Sequence, residues 1–171
     1  MKSGVSPAFA RRSFAISTRS KRVRSDAREP VDRPSRRFAM ISHVFVGTND
    51  QGRASDFYTP IMDELGWRRR HSETPTHLVI WNPATSTRPL FVLGPPFDGH
   101  AADPGNGGMV ALLAPDRATV DRAHAIAMTK GATCEGAPGL RPQYHANYYG
   151  AYFRDLDGNK ICIVCHEAEN S

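Results

Sequence analysis

Between residues 40 and 166 the chain states one pattern twice. Shifted by 65 to 66 residues, His43-Val44 falls over Met109-Val110, Asp50 over Asp116, and Gly66 over Gly131. A period of this length marks one supersecondary unit used twice in succession. Any fold proposed for the chain has to place two similar units side by side.

Each unit can be read locally. Residues 41–47 alternate and are β-branched, which predicts a strand. Asp50 is a good helix N-cap after it. Phe57, Tyr58, Ile61, Met62 and Leu65 then recur at helical spacing, and Gly66 is a C-terminal stop. Pro60 lies inside that stripe and is expected to kink or weaken the helix. Short strands are predicted over 67–71, 77–81 and 89–93, separated or ended by Pro- and Gly-containing stretches. After the loop at 94–107 the pattern restarts. A strand covers 108–114, and Pro115-Asp116 opens a helix with Val120, Ala123, Ile126 and Ala127 on its apolar face. Gly131 ends that helix. Strands over 132–135, 150–154 and 159–166 follow, the last two joined by the turn Asp155-Leu156-Asp157-Gly158-Asn159.

Charge separates the first 39 residues from the rest. They hold eleven Lys/Arg against three Asp/Glu, whereas residues 40–171 hold eleven against fourteen. The overall net charge of +5 therefore belongs to a tail, and the patterned part is mildly acidic. A nucleic-acid function would need a basic face on the domain itself, and no apolar run is long enough to span a bilayer. The tail is rich in Arg and Ser with scattered apolar residues, so it reads as disordered. Three origins stay open for it: an over-long translation start ahead of Met40, a mitochondrial-type transit peptide, or a basic interaction arm. Cys134, Cys162 and Cys165 are an odd number without framework spacing. That fits a reducing compartment, cytoplasmic, or mitochondrial if the tail is a transit peptide.

The opening HVFVGTNDQGRASDFYTPIMDELGW resembles the first module of the glyoxalase/bleomycin-resistance/extradiol-dioxygenase (vicinal oxygen chelate) superfamily. APDRATVDRAHAIAMTKGA, with GAPGLRPQYHANYYGAYFRDLDGNKICIVCH after it, resembles the second module of one bacterial and fungal branch. The resemblance implies an α+β domain over residues 40–168, with two βαβββ modules forming a curved mixed sheet around a cavity. It also implies a small-molecule ligand and a homodimer. In such proteins a divalent metal is held by residues of the first strand of each module, the fourth strand and the last strand, and it acts as a Lewis acid on substrate oxygens. Carried over by position, the first of these ligands is His43. The second falls on Met109 and the last on Cys162, while residues 89–93 offer neither acid nor His.

A lone imidazole beside a thioether does not hold a hard ion. On a strand, residues 162, 164 and 166 share a face, so a soft site of His43, Cys162 and His166 is the metal candidate. Cys162-Ile163-Val164-Cys165-His166 also matches the haem attachment pattern. As a strand it points its two cysteines to opposite faces, and the match is read as accidental. Haem is therefore not expected, and no phosphate-cradling loop is present for a nucleotide; a nucleophile elbow and a paired-His zinc motif are likewise missing.

Residues 140–150 concentrate the remaining chemistry. Arg141 can bind an anion, Tyr144 and Tyr148 can orient a substrate, and Met109, at the second-module ligand position, is counted with them as substrate-binding. His145 is the residue type suited to general-base work near neutrality, with Tyr149 beside it as the second catalytic candidate. Three function classes follow. One is a lyase or isomerase of glyoxalase type with an incomplete metal site. Another is a metal-free binding protein of the bleomycin-resistance type. The third, a ring-cleaving dioxygenase, needs a two-His-one-carboxylate set that the sequence does not display.

Overall fold

A computed structural model of the chain describes residues 40–70 and 77–169. The expectations for residues 1–39, and that for residue 71, lie outside them. The elements run β1 (His43–Gly47), α1 (Gln51–Glu64), β2 (Trp67–Arg69), β3 (Val79–Pro83) and β4 (Leu90–Gly94). The second set is β5 (Val110–Leu113), α2 (Arg117–Thr129), β6 (Thr133–Leu140), β7 (Tyr149–Arg154) and β8 (Lys160–Cys165). This is βαβββ twice in an α+β fold. Each module builds its own mixed sheet, in the orders β1-β4-β3-β2 and β5-β8-β7-β6. The first strand of each lies parallel to the fourth, and the other pairs are antiparallel. Among the described residues no helix is long and apolar enough to cross a membrane.

The local signals act as their chemistry requires. Asp50 accepts a hydrogen bond from the Arg53 N–H at 3.0 Å, and Asp116 accepts one from the Thr119 N–H at 2.7 Å. Both satisfy a free amide of the first helical turn. Gly66 and Gly131 take φ of +72° and +95° where the two helices end, a conformation that glycine adopts at no steric cost. Pro60 does not break α1, which continues to Glu64. The hydrogen bond it forgoes is to the carbonyl of Asp56, at an exposed position on the solvent side of the helix. β6 runs five residues beyond the predicted 132–135 strand, although it contains Gly136, Pro138 and Gly139. It is an edge strand of its sheet, and its register slips between Gly136 and Gly139. A bulge on an edge is where a sheet tolerates proline.

The modules meet through one core. Phe57, Tyr58, Ile61 and Met62 of α1 are buried together with Trp81, Phe91 and Leu93 of the first sheet. The same cluster holds Val120 and Ala123 of α2 and Phe153, Ile161 and Ile163 of the second sheet. The Phe57 ring meets Phe153 edge-on at 6.2 Å. His124, without a partner in the sequence reading, is buried on α2 beside Phe153. Burial lowers its pKa. Polar contacts tie the β7–β8 turn to the first module. Tyr58 donates to Asp155 at 2.6 Å, Thr48 donates to Asp157 at 2.6 Å, and the Asn159 amide donates to the Gly47 carbonyl at 3.0 Å. With one face of each sheet committed to this core, the other face of each is left to carry chemistry.

Candidate functional site

The outer face of the second sheet follows from strand alternation and register. Tyr152 lies opposite Cys162, Gly150 opposite Val164, and Ala111 beside Cys162. Period two then places Met109, Ala111 and Leu113, Gly150 and Tyr152, and Cys162, Val164 and His166 on one side. Ile161, Ile163 and Cys165 point the other way, into the core. The two cysteines of the haem-like run therefore face opposite sides of β8.

Arg141, Tyr144, His145, Tyr148, Cys162 and His166, all selected from the sequence, gather on this face. The loop between β6 and β7 is folded by backbone bonds from Arg141 N to Tyr148 O at 2.8 Å and from Tyr148 N to His145 O at 3.1 Å. The Tyr144 and Tyr148 rings pack at 4.8 Å. His145 Nε2 and His166 Nδ1 are 2.8 Å apart, so one ring donates and the other accepts. The Tyr148 ring stands edge-on to both imidazoles, at 5.6 and 5.2 Å. Its hydroxyl accepts from Tyr152 at 3.2 Å and lies 3.7 Å from the Cys162 sulfur. Burial, and then the bond with Tyr152, raise the Tyr148 phenol far above its usual range, so it stays protonated. Arg141 completes the set. Its guanidinium donates to the carbonyls of Ala137 at 2.7 Å and Leu140 at 3.1 Å and lies 5.7 Å from the Tyr152 ring centre.

Tyr149 is not brought to this face. It pairs with Cys165 on the core side, and its hydroxyl donates to Asp121 of α2 at 2.8 Å. Met109 lies at the near end of β5, half-exposed, and lines a cavity of about 400 Å³ with Tyr144, Tyr152, Arg154 and Lys160. Tyr152, Arg154 and Lys160 were absent from the sequence reading. Their signal was the alternation outward from Cys162, but using it requires the β7–β8 register.

The candidate metal ligands do not converge. His43 is exposed on β1, in the other module, with the Ser42 hydroxyl 3.4 Å from its Nδ1. Among the described residues no group of three or more His, Cys, Asp or Glu could hold an ion. Cys162 is fully buried, and burial pushes its thiol pKa up against the smaller lowering effect of its tyrosine hydrogen bonds. A protonated thiol is a poor nucleophile. An imidazole, a thioether and a thiol sulfur are too soft a donor set for a hard divalent ion, whichever copy of the chain supplies each. The residues present do not fit the metal that the family positions imply. One consequence is measurable. Iodoacetamide at neutral pH should alkylate exposed Cys134 first and leave Cys162 intact in the folded protein, as read by peptide mass spectrometry. Labelling of Cys162 at the rate of Cys134 would contradict the protonated, buried thiol.

The outer face of the first sheet is different in kind. Phe45, Leu78 and Phe97 line a cavity of about 500 Å³ with Pro95 and Pro96, and Phe97 is fully exposed. Leu113 is exposed on the second sheet.

Comparison with known proteins agrees with this architecture. A glyoxalase/bleomycin resistance protein from Albidiferax ferrireducens T118 is 32% identical with a TM-score of 0.65, over 75% of this chain and 99% of its own. A lactoylglutathione lyase from Agrobacterium tumefaciens (22%, TM-score 0.51, 74% and 93% covered) shares the fold. So does TnmS3, an antibiotic binding protein from Streptomyces sp. CB03234 (22%, TM-score 0.52, 74% and 95% covered). No curated protein matches the chain. The superfamily's sequence profile matches residues 40–163, and the chain belongs to the Glyoxalase/Bleomycin resistance protein/Dioxygenase superfamily.

Proposed function

We propose that the chain is a metal-free small-molecule binding protein of the bleomycin-resistance type, which holds a flat ligand against the outer face of the second sheet. The observation that supports this is the tyrosine array. Tyr144, Tyr148 and Tyr152 sit together beside a cavity of about 400 Å³, and Tyr144 is 63% exposed. Tyrosines offer broad apolar faces and hydroxyls at little entropic cost. The metal-ligand positions, by contrast, carry donors that do not suit a hard divalent ion. A fold relative, TnmS3, is an antibiotic binding protein, which accords with sequestration. We further propose a homodimer, because Phe45, Phe97 and Leu113 are exposed on outer faces that a second copy would cover.

The reading predicts that a bound aromatic antibiotic is recovered chemically unchanged and that a chelator leaves its affinity unaltered. Tyr152→Ala should weaken binding by roughly threefold to tenfold, from the loss of one aromatic partner. Isothermal titration followed by mass analysis of the recovered ligand measures both. A transformed ligand, or binding abolished by chelator, would refute sequestration.

One observation favours a second reading, a lyase of the glyoxalase type. The His145–His166 pair at 2.8 Å can take a proton at one imidazole and pass it to the other. His145 would then be the general base, and His145→Gln would abolish turnover while ligand binding persists.

A further inference from the structure

We infer that the ligand of the tyrosine face is a planar aromatic bearing an anionic group, seated against Arg141. This rests on the binding reading above and adds the ligand's charge to it.

Charge at the site opposes that of its surroundings. Residues 40–171 carry eleven Lys/Arg against fourteen Asp/Glu. Around Tyr152, however, Arg141, Arg154 and Lys160 face one carboxylate. Glu135 accepts from Arg154 Nε at 2.6 Å through one oxygen and from Lys160 Nζ at 2.9 Å through the other. Both oxygens are committed to those two cations. Arg141 has no carboxylate partner among the described residues and bonds only to backbone carbonyls. Neutral acceptors leave its charge whole, and a guanidinium has donors to spare after two such bonds. The four groups together carry a net charge of two positive.

The position of Arg141 is built rather than incidental. A Cβ on Gly139 would lie 2.9 Å from its Nη1, and one on Gly136 would lie 3.4 Å from its Nη2 and 3.0 Å from Tyr152. The bulged edge strand β6 thus supplies a side-chain-free floor, and the carbonyls of Ala137 and Leu140 fix the guanidinium upon it. A cation already held in one orientation loses little freedom when an anion arrives. The aromatic requirement comes from the same spot. The Tyr152 ring has Arg141 at 5.7 Å and Lys160 at 5.9 Å, and cavities of about 400 and 240 Å³ share Tyr144, Tyr152 and Lys160 as lining. An anion placed between the cations brings its attached ring onto the tyrosines.

Equilibrium dialysis of the full chain against naphthoate and its neutral isostere naphthamide tests this. The carboxylate should bind roughly tenfold tighter or more, as a charge-assisted bond requires, and added salt should shrink the ratio. Arg141→Gln should bring the ratio close to one, Arg141→Lys should keep part of it, and Glu135→Gln should raise it. Equal binding of the two probes, or a ratio unchanged in Arg141→Gln, overturns the anion assignment and leaves the binding reading standing. Retention of neither probe overturns both.

Discussion

Asp155→Ala lowers the unfolding free energy by about 3 to 5 kcal/mol, the scale expected when a buried, hydrogen-bonded charge is deleted and its partners are stranded. Asp155 is 7% exposed, and its carboxylate accepts four bonds. One oxygen takes the N–H groups of Asp157 at 3.0 Å and Asn159 at 2.8 Å, which hold the β7–β8 turn. The other takes the Tyr58 hydroxyl at 2.6 Å and the Asn159 amide at 2.9 Å, which tie that turn to α1. Burial, then the Asp155 charge, push the Tyr58 phenol well above its usual range, so it remains a donor. Alanine leaves that hydroxyl buried without an acceptor. Tyr58→Phe alone should cost about 1 kcal/mol, a typical net hydrogen bond. The double variant should cost less than the sum of the two, because Phe needs no acceptor. Urea unfolding of the four proteins measures the cycle, and strict additivity would show that the two side chains do not act as a pair.

Local chemistry made much of this fold legible. Asp50 and Asp116 at one spacing, with Gly66 and Gly131 at nearly the same spacing, mark where two helices start and stop. Cap and terminator depend only on neighbouring backbone. β6 extends past the predicted strand although Gly136, Pro138 and Gly139 resemble a turn. An edge position and a bulge, both consequences of tertiary pairing, let them sit in a strand. The candidate site divides along the same line. Arg141, Tyr144, His145 and Tyr148 are close in sequence and fold into one loop beside His166. Tyr149 and Tyr152 look equivalent in sequence, yet only Tyr152 reaches the outer face, because alternation along β7 sends Tyr149 toward Asp121. Lys160 and Arg154 enter through the β7–β8 register and Glu135 through the β6–β7 edge. None of these is visible to a reading that moves along the chain.

Phe153→Ala should cost about 3 to 5 kcal/mol, the range for removing a fully buried aromatic side chain. Phe153 is 0% exposed, with the Phe57 ring of α1 at 6.2 Å and the His124 ring of α2 at 6.4 Å. It is the point where one sheet and both helices touch, so the cavity left by alanine cannot be filled by the movement of one element. Phe153→Leu keeps most of the volume and should cost less than half as much. With a urea slope of about 1 to 3 kcal/mol/M, the alanine variant should lose roughly 1 M or more of midpoint while the slope stays unchanged. A drop of this size in one cooperative transition would mean that the modules share a single core. The outer faces, tyrosine site included, would then be presented only by the assembled pair. A loss below about 1 kcal/mol, or a transition that splits in two, would mean that each module is stable alone. The tyrosine face could in that case form on the second module without the first.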